Sequence, residues 1–436
     1  MLALLLDGTR EFDRALTRLQ ARGESDFARV EEAVREILAA VRLEGDEAVQ
    51  RYNARFGRRA PRLVLDDYPG AAALARLPAD SRGALEAAAA RIRAFHERQR
   101  DAEGHGGSKH RDDFRYEEDG VTLGTRVLPI ARVGVYAPGG KARYPSSVLM
   151  SAIPAQVAGV GAILLATPLV GDETDDPIYA AAHLAGVQAI VDAGGAQAIA
   201  GLAYGTQSIA RVDKIVGPGN VYVACAKRLV FGAVAIDGIA GPSEILVAAD
   251  DEADPRLVAA DLLSQAEHDE AAYPLLVCAS DLMARAVIRE IEIQLATLPR
   301  HAIARSALGN GAAFVVRTRE RMAAVAEHLA PEHLALHVAD PFALLSHVRR
   351  AGAAFLGSST PEAMGDYMAG PSHVLPTGGA VRFGSPLGVY DFVTRTSVIA
   401  YSQAALTRQA DAVCTFARLE GLEGHARAVE ARIARD

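Results

Sequence analysis

The sequence predicts an α/β fold with two Rossmann-like parallel-sheet domains and helical N- and C-terminal extensions. From about residue 132, short β-branched runs alternate with Ala-rich helical stretches, which is typical of consecutive βαβ units. The same alternation resumes after Ser243 with EILVAAD and continues to AAFLG, so a second sheet is expected. Before residue 100 and beyond residue 389, apolar residues instead recur at helical spacing.

The pattern divides the chain into four segments. Residues 101–120 are the most polar stretch and predict an exposed loop or linker. Gly421 and Gly424 are expected to bend the chain near its end. The predicted segments are an N-terminal helical extension at 1–26, a discontinuous first α/β domain at 27–135 and 247–388, a second α/β domain at 136–246, and a C-terminal helical tail at 389–436.

Length and composition exclude several classes of function. The 436 residues allow roughly two or three domains, and the net charge of -8 disfavours a nucleic-acid-binding surface. No apolar run approaches the roughly 20 residues needed to cross a membrane, and Asp7 ends the opening apolar run. Cys225, Cys278 and Cys414 form no CxxC pair and predict reduced thiols. We therefore expect a cytoplasmic protein that binds neither nucleic acid nor a membrane.

The segment Ala259–Glu270 carries the first candidate metal ligands. Its apolar stripe predicts a helix end on which Gln265 and His268 share one face, at positions i and i+3. Two ligand groups one turn apart can hold a metal ion without a loop. By itself, however, a Gln and a His at this spacing more often form a solvated helix face.

Glu332 and His333 are the candidates for acid–base chemistry. Pro331 breaks the preceding helix and leaves both residues on a short turn before a strand. An adjacent carboxylate and imidazole suit proton transfer, because histidine titrates near neutral pH. The alternative is a surface turn with two polar residues, and the local pattern does not separate the two readings.

Two further segments carry polar side chains at bends. The loop Gly365–Gly379 contains Asp366, Tyr367 and His373, and loops on a rigid sheet are where binding residues concentrate. The segment EGLEGH near the C-terminus contains Glu420 and His425. A single histidine near a chain end is normally inert.

Glycine-rich turns in the second predicted domain suggest a phosphate-binding edge. VYAPGGK at 135–141 follows a strand, and VGPGN at 216–220 opens a helix at Val221. Exposed amides at a helix N-terminus favour a phosphate group. Neither turn matches GxGxxG, so any dinucleotide is expected to bind in a non-standard way.

Taken together, these segments resemble the histidinol dehydrogenase family. The resemblance spans roughly residues 30 to 430, and the matching blocks occur in the family's order. They are VGVYAPGGKARYPSSVLM, GGAQAIAGLAYGT, DKIVGPGNVYVA, AGPSEILVAAD, ADLLSQAEHDE, APEHL, GDYMAGPSHVLPT and EGLEGHA.

The resemblance implies a zinc-dependent, NAD-linked oxidation of L-histidinol to L-histidine and assigns roles to particular residues. The implied zinc ligands are Gln265, His268, Asp366 and His425. The implied substrate contacts are these four residues with Ser243, His333, His373 and Glu420. The implied acid–base pair is Glu332 and His333, and the implied NAD contacts are Tyr136, Gln197 and Asn220. The implied zinc ligands and acid–base residues then belong mainly to the first α/β domain, and the implied NAD contacts belong to the second.

The family also implies a homodimer whose C-terminal tail reaches the partner, so that Glu420 and His425 complete the other subunit's site. Three other functions fit the sequence less well. A related enzyme acting on a small sulfonated diol should lack the imidazole-binding residues, yet His373 and Glu420 are present. A metallohydrolase would leave the GGAQAIAGLAYGT and VGPGN turns without a role. A non-catalytic scaffold would not be expected to keep every ligand and both acid–base residues.

Overall fold

The computed structural model describes residues 1–22, 27–57, 59–101, 113–139 and 143–433. The chain divides into two compact units, one formed by Met1–His96 with Ile130–Phe392 and the other by Glu97–Pro129 with Val393–Asp436. The first unit contains two six-stranded sheets. The predicted α/β class with two mainly parallel sheets is therefore confirmed.

The strands and helices are numbered in chain order. The strands are β1 (Ala3–Leu6), β2 (Val64–Leu65), β3 (Phe114–Glu118), β4 (Val121–Pro129), β5 (Arg132–Tyr136), β6 (Ala162–Thr167), β7 (Ala189–Asp192), β8 (Lys214–Val216), β9 (Ala235–Ile236), β10 (Glu244–Ala249), β11 (Tyr273–Cys278), β12 (Ala312–Val315), β13 (His333–His337), β14 (Ala353–Leu356) and β15 (Val393–Tyr401). The helices are α1 (Arg10–Gln20), α2 (Ala28–Glu44), α3 (Asp46–Phe56), α4 (Gly70–Arg76), α5 (Ala79–Asp101), α6 (Pro145–Ala158), α7 (Asp176–Leu184), α8 (Gly195–Tyr204), α9 (Val221–Val230), α10 (Pro255–Ala266), α11 (Asp281–Leu295), α12 (His301–Leu308), α13 (Arg319–Leu329), α14 (Pro341–Leu345), α15 (Glu362–Tyr367), α16 (Gln403–Leu419) and α17 (Glu423–Ile433).

The first sheet has the strand order β1-β12-β11-β10-β13-β14, and all neighbouring strands are parallel. Helices α10, α11 and α12 pack on one face, and α1, α13 and α14 pack on the other. Strands β10 and β13 are buried along their whole length. Apolar runs of this kind are typical of a parallel sheet covered on both faces, which explains why EILVAA does not alternate.

The second sheet has the order β2-β7-β6-β5-β8-β9. All its strand pairs are parallel except β2 with β7, which is antiparallel. Helices α2, α3, α8 and α9 form one hydrophobic core with this sheet. Helix α6 packs against β5 and β6.

Two predicted boundaries differ from the structure. Residues 1–26 were predicted as a helical extension, but β1 is an edge strand of the first sheet, paired in parallel with β12. Residues 27–135 were assigned to the domain of that sheet, yet α2 and α3 pack in the core of the second sheet. Helical periodicity shows which helix face is apolar and does not show which sheet covers it, so the sequence pattern left this choice open.

The second unit contains an antiparallel sheet of β15, β4 and β3, together with the helix pair α16 and α17. The tail at 389–436 was predicted to be helical, whereas Val393–Tyr401 is a strand that pairs with β4 along its whole length. The predicted loop at 101–120 falls partly on residues 102–112, outside the described residues, and its later part forms β3. All five residues of β3 are exposed, which explains why their polar sequence resembles a loop.

No helix among the residues placed by the structure is both long and apolar enough to span a membrane.

Candidate active site

The acid–base candidates lie at the amino end of the first sheet. Strand β13 begins at His333, and the neighbouring β10 begins at Glu244, with Ile245 paired to His333. A loop lies across this edge: the Gly378 N–H donates to Glu244 Oε1 (3.1 Å), and the Ser372 hydroxyl donates to the Met150 carbonyl (3.2 Å). Because Met150 belongs to α6, the loop connects the edge of the first sheet with a helix of the second.

The contacts of His333 fix the role of each ring nitrogen. Nδ1 lies 3.0 Å from the carbonyl oxygen of Glu244, which can only accept, so Nδ1 carries the proton. Nε2 is then the free acceptor, and it lies 3.8 Å from Glu362 Oε1. Burial lowers the pKa of His333 to about 4, so the ring is neutral at pH 7. A neutral ring with an unprotonated Nε2 is the form of histidine that can take a proton.

Glu332 is buried beside this ring. Its Oε2 accepts the Glu244 backbone N–H at 2.9 Å and lies 3.6 Å from His333 Nδ1. Burial raises the pKa of Glu332 well above its usual range, and the negative charge of Glu244 raises it further. Such a carboxyl group exchanges protons at a higher pH than an exposed glutamate does.

A second pair of carboxylates, Glu362 and Asp366, lies one turn apart on α15. The Ser264 hydroxyl donates to Glu362 Oε2 at 2.9 Å, which joins the end of α10 to this helix. One ligand atom each from His333, Glu362 and Asp366 lies within 4.8 Å of the others. Burial raises the pKa of Asp366 to about 8, with a further contribution from the charge of Glu362. A nearby cation would favour the ionised form of both carboxylates, so this cluster suits a metal ion or a cationic substrate group.

Gln265 and His268 lie at the end of α10, close to this cluster. Gln265 is 1% exposed, and its Oε1 accepts no hydrogen bond from the residues that the structure describes. A buried amide oxygen without a donor is costly unless a ligand satisfies it. His268 is exposed in the turn after α10. Burial raises the pKa of Glu362, and the hydrogen bond from Ser264 and the nearby His268 act in the opposite direction.

Ser243 and His373 flank the same edge. Ser243 directly precedes β10, and its carbonyl accepts the Tyr273 N–H at 3.0 Å. His373 lies in the loop that contains Ser372 and Gly378. Burial lowers the pKa of His373 to about 4.

Tyr136, Gln197 and Asn220 lie at the carboxyl edge of the second sheet. Tyr136 ends β5, and its hydroxyl oxygen accepts the Gly195 N–H at the start of α8 (3.1 Å). Gln197 follows in the first turn of that helix, and its buried Oε1 has no partner within the described part of the chain. Asn220 caps α9, with Oδ1 accepting the N–H groups of Tyr222 (3.1 Å) and Val223 (3.2 Å).

These three residues surround the point where the strand order of the sheet reverses. The chain runs from β5 through β6 to β7 on one side and continues with β8 and β9 on the other. Ligands of open α/β sheets bind at such a switch point, outside the carboxyl ends of the strands.

Glu420 and His425 lie in the second compact unit, at the end of α16 and in the first turn of α17. Both side chains are exposed. The first unit therefore contains ten of the twelve residues that the sequence selected, and their individual roles stay predictions.

Three buried charged residues beside the candidate site were not selected from the sequence: Arg22, Glu244 and Glu362. Glu244 and Arg22 form an ion pair whose two side chains are each 1% exposed. A glutamate at the start of an otherwise apolar strand, in SEILVAA, was one available signal, because a charged residue beside a buried run needs a partner. Glu362 lies four residues before Asp366, a spacing that places both on one face of a helix.

Comparison with known proteins identifies the family. The histidinol dehydrogenase family matches residues 20–433 of the chain. A histidinol dehydrogenase from Syntrophotalea carbinolica is 51% identical over 437 residues, covering 99% of this chain and 99% of that protein. One from Lactiplantibacillus plantarum is 49% identical over 411 residues, covering 93% of each.

A solved structure agrees with these sequence matches. The crystal structure of histidinol dehydrogenase from Elizabethkingia anophelis has a TM-score of 0.89 and 32% sequence identity, covering 99% of this chain and 98% of that one. The resemblance predicted from the sequence blocks is thus confirmed, and the chain belongs to the histidinol dehydrogenase family.

Proposed function

We propose that the chain oxidises L-histidinol through L-histidinal to L-histidine, the last steps of histidine biosynthesis, with NAD as oxidant and one zinc ion per subunit. The observation that carries the proposal is the buried Glu332–His333 pair beside the cluster of His333, Glu362 and Asp366. Relatives that share about half of the sequence are named histidinol dehydrogenases, which supports the choice of substrate.

Zinc is proposed to be held by Gln265, His268, Asp366 and His425. The unsatisfied Oε1 of Gln265 and the half-buried carboxyl of Asp366 fit a cation. The set offers nitrogen and oxygen donors without a thiolate. When bound, the ion would orient the imidazole and amine of histidinol. Ser243, His373 and Glu420 are proposed as the remaining substrate contacts.

The proton transfers are assigned to Glu332 and His333. With Nδ1 tied to the Glu244 carbonyl, Nε2 of His333 is free to take the proton of the substrate hydroxyl. The aldehyde must be hydrated before it can be oxidised, and Glu332, whose raised pKa suits proton exchange, would activate that water. Hydride acceptance is the chemistry that NAD supplies when bound.

NAD is proposed to bind at the switch point of the second sheet, in contact with Tyr136, Gln197 and Asn220. The unsatisfied Oε1 of Gln197 supports this position. The approach of two backbone segments supports it too, since a Cβ on Gly217 would lie 2.1 Å from the Tyr136 carbonyl oxygen. The loop from Ser372 to Gly378 connects α6, the helix that follows β5, to the acid–base edge.

A homodimer with shared sites is also proposed. The second unit exposes large apolar side chains, among them Ile399 (68%), Phe416 (63%) and Leu419 (79%). Large apolar and aromatic side chains are enriched at the core of protein interfaces. We assign it to a second copy of the chain, with the exposed Glu420 and His425 completing the site of the partner.

The proposed location is the cytoplasm. Cys225, Cys278 and Cys414 are all free and buried, which agrees with reduced thiols.

The decisive experiment is to supply purified protein with limiting histidinol and excess NAD, and to measure NADH by absorbance. Two NADH per histidinol, and one per histidinal, are expected. NADH from a sulfonated diol but none from histidinol would identify the related alcohol dehydrogenase instead. Absence of NADH with either alcohol would contradict the oxidoreductase proposal and leave the hydrolase and scaffold readings.

A further inference from the structure

We propose that Arg22 and Glu244 are positioning residues for the acid–base pair, so that a buried ion pair reaching from the N-terminal segment fixes Glu332 and His333 in their reactive geometry. The inference rests on the proposed function of that pair. Glu244 contacts both catalytic side chains, and Arg22 contacts the backbone that leads to them.

Glu244 contacts both members of the pair, through its backbone and its side chain. Its N–H donates to Glu332 Oε2 (2.9 Å), and its carbonyl accepts from His333 Nδ1 (3.0 Å). Its side-chain Oε1 accepts the N–H groups of Glu332 (3.1 Å) and Gly378 (3.1 Å). One residue therefore holds the carboxylate, the imidazole and the covering loop at once.

Arg22 fixes the other side of this arrangement. Its Nε pairs with Glu244 Oε2, and its Nη2 donates to the carbonyls of Leu329 (2.7 Å) and Ala330 (3.4 Å). These carbonyls belong to the C-terminal end of α13, where helical carbonyls lack partners. The positive guanidinium also favours the negative end of the helix dipole.

The backbone between α13 and the acid–base pair is held in an uncommon conformation. Ala330 has a φ of +47°, and Asp119 is the other non-glycine residue with a positive φ in the described part of the chain. A non-glycine residue keeps this conformation only where its surroundings impose it. Arg22 contacts the Ala330 carbonyl directly, two residues before Glu332, so it supplies one of those constraints.

The geometry explains why the Glu332–His333 pair depends on the contacts of Arg22 and Glu244. His333 presents an unprotonated Nε2 only while Nδ1–H has an acceptor, and that acceptor is the carbonyl of Glu244. If β10 moved at Glu244, the ring could exchange tautomers and the Glu332 carboxylate would lose a donor. Neither change requires the protein to unfold.

Three variants separate the contributions of Arg22 and Glu244 to the geometry of the acid–base pair. Arg22→Lys keeps a positive charge but cannot reach all the acceptors at once, and Glu244→Gln keeps the shape but loses the charge. The double variant Arg22→Met with Glu244→Gln leaves no buried charge unpaired, so it provides a folded test if a single variant fails to fold. We expect each folded variant to lower kcat by about ten- to a hundredfold, with KM for NAD changed by less than about twofold.

Arg76→Met is the control: it also removes an ion pair of the first unit, although the side chain of Arg76 is 44% exposed and that of Arg22 is 1% exposed. Arg76 forms a two-point ion pair with Asp176 (2.7 and 2.6 Å) between α4 and α7, far in sequence from the acid–base turn. Its loss should lower thermal stability and leave kcat within about twofold of the original chain. A drop in kcat as large as that of the Arg22 and Glu244 variants would show that their effect is general destabilisation, which would overturn the proposal.

A spectroscopic measurement tests the same proposal without turnover. In protein labelled with ¹⁵N-histidine, the His333 signals can be assigned by their loss in His333→Asn. We expect the Nδ1–H tautomer in the original chain and a mixture of tautomers in the folded double variant. An unchanged tautomer together with unchanged kcat would overturn the proposal. If the original chain did not oxidise histidinol, the proposed function would fail. The spectrum would still decide whether Arg22 and Glu244 fix the tautomer of the His333 ring.

Discussion

The two sheets of the first unit share one plan but carry their candidate sites at opposite ends. In each sheet, three consecutive strands are laid down in one direction, and the next two strands are added on the other side of the first one. In the first sheet these are β10, β11 and β12, followed by β13 and β14. In the second sheet they are β5, β6 and β7, followed by β8 and β9. An edge strand from the N-terminal region completes each sheet. The second sheet has its candidate residues at the carboxyl edge, as expected for the fold. The first has Glu244, Glu332 and His333 at the amino edge.

The difference shows that the side chains at an edge of a sheet, and not the strand order, decide which edge forms the candidate site. At the carboxyl edge of the first sheet, Asp250 accepts the N–H groups of Ala339 (2.7 Å) and Glu252 (3.1 Å). These backbone donors are therefore occupied by a carboxylate of the chain and do not offer hydrogen bonds to a phosphate. The amino edge of the same sheet instead contains buried charged side chains, which need ion-pair or hydrogen-bond partners. The second sheet has a glycine turn and helix N-termini at its carboxyl edge, which suit a phosphate-bearing ligand.

The largest effect that separates the two sheets should come from metal removal. Exhaustive chelation is expected to abolish NADH production, because the proposed ligands Gln265, His268 and Asp366 belong to the first sheet's edge. NAD binding, measured by calorimetry, and the thermal midpoint should change little, since the large core does not need the ion. Full turnover after elemental analysis has shown that no metal remains would refute the zinc assignment.

His333→Asn should slow both oxidations by on the order of a hundredfold or more, the usual worth of a positioned base. The loss should appear in kcat, because the substitution leaves the carboxyl edge of the second sheet intact. Steady-state rates with histidinol and with histidinal measure it, and KM for NAD serves as the internal control. A variant with undiminished kcat would remove His333 from the mechanism.

Glu332→Gln should distinguish the two steps. We expect aldehyde oxidation to fall about tenfold or more relative to alcohol oxidation, because only the aldehyde must be hydrated before hydride leaves. The comparison uses the same variant with histidinol at the first turnover and with histidinal in the steady state. Equal losses in the two steps would contradict the assignment of water activation to Glu332.

The sequence predicted the parts of the fold that depend on local pattern. Apolar runs such as EILVAA and AILLAT identified buried strands, and the alternation of strands and helices indicated two parallel sheets. The four-residue run of β1 was too short to distinguish a strand from a helix. Helix α2 was recognised, but its sheet was not, because that choice depends on contacts with α8 and α9 far along the chain.

The candidate site shows the same limit. Glu332 and His333 became candidates because they are adjacent and follow a helix-breaking proline, and the family resemblance then implied their role. Glu244 was missed because its partner Arg22 lies 222 residues away in the chain. No local pattern encodes a partner at that distance, so a glutamate beside an apolar strand indicates that a partner is needed without showing which residue supplies it.

The second unit extends the comparison, because it carries two proposed site residues that the first unit lacks. His268→Ala and His425→Ala should each be inactive alone. Co-expressed as differently tagged chains, they should restore about a quarter of the original activity, since about half of the dimers are mixed and each has one intact site. Purification through both tags would establish that mixed dimers formed. Mixed dimers without activity would show that each chain builds its own site.

The smallest expected effect tests the carboxyl edge of the second sheet by itself. Gly217 has a φ of +111°, and an added Cβ would lie 2.1 Å from the Tyr136 carbonyl oxygen, so Gly217→Ala must push apart two segments proposed to hold NAD. Gly232→Ala is the matched control, since Gly232 has a similar φ of +101° with no atom within 4 Å of the added Cβ. Each variant should lose on the order of 1–3 kcal/mol of unfolding free energy from backbone strain. Only Gly217→Ala should also raise KM for NAD, by about three- to tenfold, with the rate at saturating NAD nearly unchanged because the amino edge of the first sheet is untouched. Equal values of KM for NAD in the two variants would show that the turn at Gly217 is not part of the cofactor site.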